Sequence, residues 1–338
     1  MIKDCIKKLV EGQDLTSRES EEAMNDIMTG IATPSQIASL ITALRIKGET
    51  SEEITGFAKI MRAHAVKLSP KADYFVDTCG TGGDVSGTFN ISTVASFIAA
   101  GSGVVIAKHG NRAVSSKCGS ADLLEKLGVM IDIPPEKVAS CIDSVGLGFI
   151  FAPAFHQAMK HATPTRKEIG IRTIFNILGP VSNPANTKGQ LMGVYSEKLT
   201  LVMAEVLKNQ GCETAMVVYG TDGIDEISIS GSTKVSHLSG GIIKEYFVEP
   251  ENFGIKKQPL SSISGGSSEE NAGITKNILE GKEKGARRDV VLLNAAAAIV
   301  VGKKAADIKE GLELAKRSLD SGAALDKLKK LIEFTAKH

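Results

Sequence analysis

The chain has no tryptophan, only 4% aromatic residues and no charge excess. Its 40 Lys and Arg stand against 39 Asp and Glu, a formal net charge of +1. That balance gives no electrostatic reason to expect nucleic acid or an anionic membrane surface as a partner. No apolar run approaches the ~20 residues of a membrane-crossing helix, and the opening MIKDCIKKLVEG lacks the apolar core of a signal peptide. Cysteine is scarce: five residues, at 5, 79, 118, 141 and 212, odd in number and without metal-ligand spacing. Reduced thiols and a cytoplasmic location are the expectation. At 338 residues the chain is long enough for one large domain and a smaller one.

Glycine, in contrast, is plentiful at 34 residues. Residues 77–84 read Asp-Thr-Cys-Gly-Thr-Gly-Gly-Asp, after the apolar run Tyr74-Phe75-Val76 and before a helix predicted over Ile91 to Ala100. Gly80, Gly82 and Gly83 let the backbone turn sharply and bring its N–H groups close to a ligand. The helix that follows starts with free N–H groups and the positive end of a dipole, so the construction suits phosphate. Thr81, Asp84 and Thr88 belong to this loop. Asn90, Ser92 and Thr93 stand at the helix entrance, where short polar side chains cap the helix or contact an anion. The loop is neither a dinucleotide fingerprint nor a Walker A motif, since no Lys-Ser/Thr follows the glycines.

A second polar segment, 108–128, starts at the end of the strand-like run 104–107. Loops at strand C-termini gather on one edge of an open α/β sheet, so Lys108, His109, Asn111 and Arg112 should share the crevice of the first loop. Ser115 to Ser120, including Ser116, form a small-residue loop before a helix over Ala121 to Leu127. Two such loops imply a substrate with two separated anionic groups. Cys79 and Cys118 lie in these loops, where small residues of any kind fit.

Residues 1–68 read as helical throughout, with Thr16 and Ser17 capping a helix over 18–28. Pro34 opens a second helix, and a third runs from Ser51 to about His64. From 72 onward, β-rich runs at 104–107, 148–152, 190–195 and 214–219 alternate with helices, which implies a mostly parallel sheet. Residues 224–248 alternate as an antiparallel excursion, and 289–336 reads as helix. The expected fold is therefore α/β, with a small helical N-terminal domain and a large α/β domain.

Four segments carry a resemblance. Asp-Thr-Cys-Gly-Thr-Gly-Gly-Asp, Lys-His-Gly-Asn-Arg followed by Ser-Ser and Gly-Ser-Ala-Asp, and Thr-Ile-Phe-Asn-Ile-Leu-Gly-Pro-Val-Ser-Asn-Pro-Ala (173–185) resemble the anthranilate phosphoribosyltransferase family, as does Asp222-Gly-Ile-Asp-Glu226. The likeness spans essentially the whole chain with the motifs in family order. It implies transfer of 5-phosphoribosyl from 5-phosphoribosyl 1-diphosphate (PRPP) to anthranilate, with Mg²⁺, in tryptophan biosynthesis. It also implies a small domain of 1–69 with about 165–185, a large domain of 70–164 and 186–338, an active site in the cleft between them, and a homodimer through the helical domain.

By the same resemblance, PRPP falls to Gly80, Thr81, Gly82, Gly83, Asp84, Thr88, Asn90, Ser92, Thr93, Lys108, Ser116 and Ser120. Anthranilate falls to Gly80, His109, Asn111, His156, Arg166 and Pro180, and the metal to Ser92, Asp225 and Glu226. Lys108, Asn111 and Arg166 are the catalytic candidates. Arg172 and Lys167 rival Arg166 for the acceptor carboxylate, and His156 either lines the acceptor path or caps a helix. Asp222 to Glu226 also reads as a simple turn between strands, since Asp and Gly are turn residues. Two other activities stay open: a pyrimidine nucleoside phosphorylase, and a non-catalytic relative that binds nucleic acid.

Overall fold

The computed structural model describes residues 1–83, 87–113 and 117–337. Four helices begin the chain: α1 (Ile2–Val10), α2 (Ser17–Met28), α3 (Pro34–Lys47) and α4 (Ser51–Ala63). Thr16 caps α2 and Thr33 caps α3, each by a reciprocal capping box, with Pro34 in the first turn of α3. The cap of α4 is Thr50 rather than Ser51. The reason is spacing: Glu53 lies three residues after Thr50 and closes both bonds of the box, whereas Ile54 stands three after Ser51 and accepts nothing. Glu53 is fully buried and also accepts from Leu15 N at 2.9 Å and Lys47 Nζ at 3.0 Å, locking three elements together.

Seven strands follow: β1 (Val76–Gly80), β2 (Ile106–Gly110), β3 (Leu147–Phe151), β4 (Gly189–Gly193), β5 (Thr214–Gly220), β6 (Thr233–Ser239) and β7 (Ile242–Val248). They form one sheet in the order β3-β2-β1-β4-β5-β6-β7, with the first five parallel and β6 and β7 antiparallel. The antiparallel excursion is shorter than the sequence pattern implies. Residues 224–232 form no strand, and Ile224, Ile227 and Ile229 reach the core from a loop.

β1 and β2 also run further into polar sequence than the apolar runs predict. Asp77, Lys108 and His109 lie inside strands and are almost fully buried. Each finds a tertiary partner: Asp77 accepts from His109 N at 3.1 Å and Asn183 Nδ2 at 2.9 Å, and Lys108 Nζ donates to Thr78 O.

One face of the sheet is covered by α5 (Ile91–Gly101), α6 (Ser120–Lys126) and the buried helix Ala286–Val301, whose side chains share one core. Two further tail helices, Ile308–Asp320 and Ala323–Thr335, pack beside them. On the other face, Met192, Val194 and Val217 join the core of α2, α3 and α4. Ala162, Ile174, Phe175, Ile177, Leu178 and Val181 enter that same helical core. The chain therefore returns to the helical bundle between β3 and β4, and this detour carries the candidate acceptor residues. Among the described residues no helix is long and apolar enough to cross a membrane.

Candidate active site

The sheet grows from β1 to β2 and β3 on one side and to β4 and β5 on the other. The C-terminal ends of β1 and β4 therefore flank a topological switch point, where open α/β sheets have their ligand crevice. Gly80 and Gly193 face each other there in register. A Cβ on either would overlap Asp225, so this glycine pair forms the slot in which Asp225 sits.

The acidic turn and the glycine loop meet through that slot. Asp225 Oδ2 accepts from Gly82 N at 2.9 Å, and Glu226 Oε1 accepts from Ser92 N, in the first turn of α5, at 3.0 Å. Gly82 and Gly83 adopt φ of +65° and +78°, which glycine tolerates without strain. Thr81 pins the loop to β4: its N–H donates to Gly193 O at 2.9 Å, and its Oγ1 accepts from Tyr195 N at 3.1 Å. Arg172 reaches across to donate to Gly83 O while its guanidinium stacks 4.8 Å from the Tyr195 ring.

Asn90 does not cap α5. Its Nδ2 donates to Cys118 O at 3.0 Å and its Oδ1 accepts from Asn271 Nδ2 at 3.1 Å, so it tethers the two ligand loops to the helix Ser268–Leu279. Thr93 Oγ1 is buried one turn further on and has no hydrogen-bond partner among the described residues. Thr88 pairs with Ser264 in an isolated bridge. Asp84 and Ser116 lie outside the described residues.

At the second loop, Asn111 O accepts from Ser120 Oγ at 3.3 Å and Ala121 N at 3.2 Å, which sets the start of α6. The exposed Asn111 Oδ1 accepts from Arg112 N at 2.7 Å. Arg112 does not serve the crevice. Its guanidinium is committed to Asp122 at 3.2 Å and Glu125 at 2.5 Å, which hold its pKa above the usual arginine value.

The acceptor candidates are built from the detour. Arg166 lies with its guanidinium 5.1 Å over the Phe175 ring, and partial burial pulls its pKa down. Among the described residues no carboxylate forms an ion pair with it, so its fork is available to an anionic ligand. Arg172 is occupied by the glycine loop and Lys167 is exposed. His109 lies 3.1 Å through Nδ1 from Gly179 O, and its ring stands 5.1 Å from that of His156. Burial pushes the two pKa values down to about 3 and about 4. His109 is thus neutral at physiological pH, with Nδ1–H donating to Gly179 and a buried Nε2 acceptor lacking a partner. Pro180 is buried next to Gly179, and its carbonyl accepts from Gln190 Nε2 at 2.7 Å.

Comparison with known proteins decides the family. Residues 3–65 match the model described as the glycosyl transferase family helical bundle domain, and residues 72–325 match that family's a/b domain. An anthranilate phosphoribosyltransferase of Acetivibrio thermocellus is 57% identical over 99% of this chain and 97% of its own length. That of Symbiobacterium thermophilum is 54% identical, over 99% and 98%. The crystal structure of the Thermus thermophilus enzyme superposes with a TM-score of 0.94 at 42% identity, covering 98% of this chain and 99% of the other. The Saccharomyces cerevisiae enzyme in complex with PRPP and Mg superposes at 0.91 with 30% identity, covering 100% and 98%. The chain belongs to the anthranilate phosphoribosyltransferase family.

In this anthranilate phosphoribosyltransferase-family chain, the donor chemistry of the acidic turn fits Mg²⁺. No cluster of three or more His, Cys, Asp or Glu that could hold a metal exists among the described residues. Mg²⁺ does not need one, because it is commonly held by one or two carboxylates together with substrate phosphates. Asp225 and Glu226 supply two adjacent carboxylates at the glycine loop. The cysteines are poor nucleophiles: burial raises the Cys79 thiol well above its ordinary pKa and raises that of Cys118.

Sequence reasoning passed over two residues that shape the site and gave a third, Arg172, another role as a rival for the acceptor carboxylate. Asp77 and Asn183 hold β2 at His109, since Asn183 Nδ2 also donates to Ala107 O at 2.8 Å, and Arg172 holds the glycine loop. Asp77 and Asn183 sit inside the quoted motifs, which was the available signal.

The buried histidines give a stability prediction. Folded, His109 and His156 take up a proton only near 3 and 4. Unfolded, both do so near 6.5. The unfolded state therefore binds more protons across that window, and stability falls as pH drops below about 6.5. Asp77 acts in the opposite sense: burial holds its carboxyl up to about 6, so it is protonated earlier in the fold than in the unfolded chain. At pH 5 the two histidines together cost about 4 kcal/mol relative to pH 7.5, and Asp77 returns about 1 kcal/mol. The urea midpoint should drop clearly between these pH values, and less in His109→Gln. Equal midpoints in the parent would refute the neutral, buried assignment.

Proposed function

We propose that this chain transfers 5-phosphoribosyl from PRPP to the amine of anthranilate, releasing pyrophosphate, as a step of tryptophan biosynthesis. One observation carries the reading. The detour from Arg166 to Pro180 is tied to the glycine loop through Arg172 and Gly83, and to β2 through Gly179 and His109. A carboxylate-binding arginine, a neutral histidine and a phosphate loop are thus linked through one continuous segment, which matches an acceptor acid and a phosphorylated donor held side by side.

The bond between the anomeric carbon and pyrophosphate breaks as the anthranilate nitrogen bonds to that carbon, with inversion. Positive charge develops on the ribose ring and negative charge on the leaving group. The N–H groups of Gly82 and Ser92, which donate to Asp225 and Glu226 in the structure, would turn to the donor's anionic groups when those carboxylates release them. Lys108, whose pKa is lowered by burial, adds a cation near the ring. Asp225 and Glu226 with Ser92 would hold Mg²⁺, which would neutralise charge on the pyrophosphate. Arg166 orients the acceptor through its carboxylate. An aniline-type nitrogen is already unprotonated near neutral pH, so no strong base is needed: Asn111 or His109 would accept a hydrogen bond from the amine, and the proton released on bond formation passes to solvent. We infer a homodimer formed through the helical domain, where Val10, Ile31 and Ile46 are exposed.

The test follows anthranilate fluorescence with protein, PRPP and Mg²⁺. Loss of signal that requires all components and stops on adding EDTA is the expected result. A flat trace from folded protein would reject the acceptor.

A further inference from the structure

A cavity lies apart from the residues of the crevice. It has a volume of about 500 Å³, within the range of small-molecule sites. The end of α4 and the connection that follows it, residues 62–69, form one wall. Pro184, Asn186, Asn209 and Gln210 form the other. The helical bundle and the α/β domain thus each contribute a side. Asn186 holds a φ of +53° here, uncommon for a residue with a side chain.

The polar character of the lining is one-sided. Lys59, Arg62 and Lys67 line it, and no acidic residue does so among the described residues. Lys59 is paired with Glu21 at 2.8 Å, which leaves Arg62 and Lys67 to set the local charge. Arg62 Nη2 donates to Val181 O at 2.9 Å and to Gln210 Oε1 at 2.8 Å. Its Nε is buried without a partner, and so is Gln210 Nε2. Both orphaned atoms are donors on residues that line the same cavity. Buried donors without acceptors are unfavourable, and in native proteins each requires an explanation. The rest of the wall is mixed, with an apolar part from Ala63, Ala65, Val66, Leu68 and Pro184 and a polar part from Thr55, Ser69, Asn186 and Asn209.

We propose that this interdomain cavity binds a small organic carboxylate, whose oxygens accept from Arg62 Nε and Gln210 Nε2 beside Lys67 while its hydrocarbon body rests on the apolar part of the wall. A carboxylate fits better than inorganic phosphate because the two buried orphaned donors match its two oxygens and apolar side chains stand beside them to take a hydrocarbon body. None of His109, Asn111, Arg166 or Pro180 lines the cavity, so this site is separate from the acceptor path.

Titration calorimetry of the full chain with hexanoate, and in a parallel arm with inorganic phosphate, tests this. Binding of hexanoate is expected in the parent and in Arg166→Ala, with phosphate weaker. Lys67→Glu reverses an exposed charge, and Asn209→Trp fills space from another exposed lining position at the loss of one long bond, Asn209 Nδ2 to Thr55 Oγ1 at 3.4 Å, with the thermal midpoint as the check that each variant folds. Each should weaken hexanoate at least about tenfold. Three results would overturn the proposal: hexanoate binding that is absent, that survives both variants, or that is lost in Arg166→Ala and retained in Lys67→Glu. Phosphate also meets the glycine loop, so its arm is read by difference: phosphate binding that Lys67→Glu and Asn209→Trp weaken more than they weaken hexanoate binding would overturn the carboxylate assignment. Because the readout is binding, failure here leaves the transferase reading standing, and failure of the fluorescence assay leaves this proposal standing.

Discussion

Asp225→Asn combined with Glu226→Gln lowers turnover at saturating substrates by about 10²–10³-fold and makes the residual rate insensitive to Mg²⁺. The amide substitutions are chosen because each keeps one acceptor oxygen. The new side-chain carbonyls can still accept from Gly82 N and Ser92 N, so the loop and the start of α5 stay in place. Only the two negative charges go. A titration of rate against Mg²⁺ in parent and double variant separates the roles, with the thermal midpoint as a check on folding. If turnover and the Mg²⁺ titration both match the parent, these carboxylates serve the loop alone and the metal is held elsewhere.

Arg166→Ala raises the KM for anthranilate about 100-fold while the KM for PRPP changes severalfold at most. A charge-assisted hydrogen bond to a carboxylate is worth about 1.5–3 kcal/mol, or 10–150-fold, and a bidentate pair lies at the upper end. The side chain has no ion pair among the described residues to lose, so the variant leaves no orphaned partner; its lost stack on Phe175 is a modest cost. Arg166→Lys, which keeps the charge and loses the planar fork, falls between parent and alanine. Initial rates by anthranilate fluorescence over a grid of both substrates decide it. Equal rises in both KM values would shift the carboxylate contact to another residue and leave Arg166 as a structural stack on Phe175.

Local chemistry wrote much of this fold into the sequence. The caps at Thr16 and Thr33, Pro34 in a first turn and the strand–glycine loop–helix order all depend on residues within a few positions of one another. Three elements were less legible, each because a distant partner decides it. By pattern β1 and β2 stop before Asp77 and Lys108, since polar residues resemble loop when Asn183 and Thr78 are not yet in view. Asn90 read as a helix cap, but Asn271, far along the chain, claims its side chain. Arg112 looked as available as Arg166 until α6 placed Asp122 and Glu125 beside it. The motif resemblance supplied Arg166, Asp225 and Glu226, which spacing alone could not separate from Arg172 or from an ordinary turn.

The facing pair Gly80 and Gly193 has a consequence for how this chain can vary. Most positions in a sheet accept a change of size because a neighbouring side chain rotates away. Here the neighbour is the Asp225 residue itself, backbone as well as carboxylate, and the two hydrogens stand on adjacent strands. A library saturated at both positions should therefore return glycine at both among active clones, even though one position lies in the glycine-rich motif and the other carries no obvious signature. Tolerance to mutation would be lowest at the two places where the protein has no side chain at all.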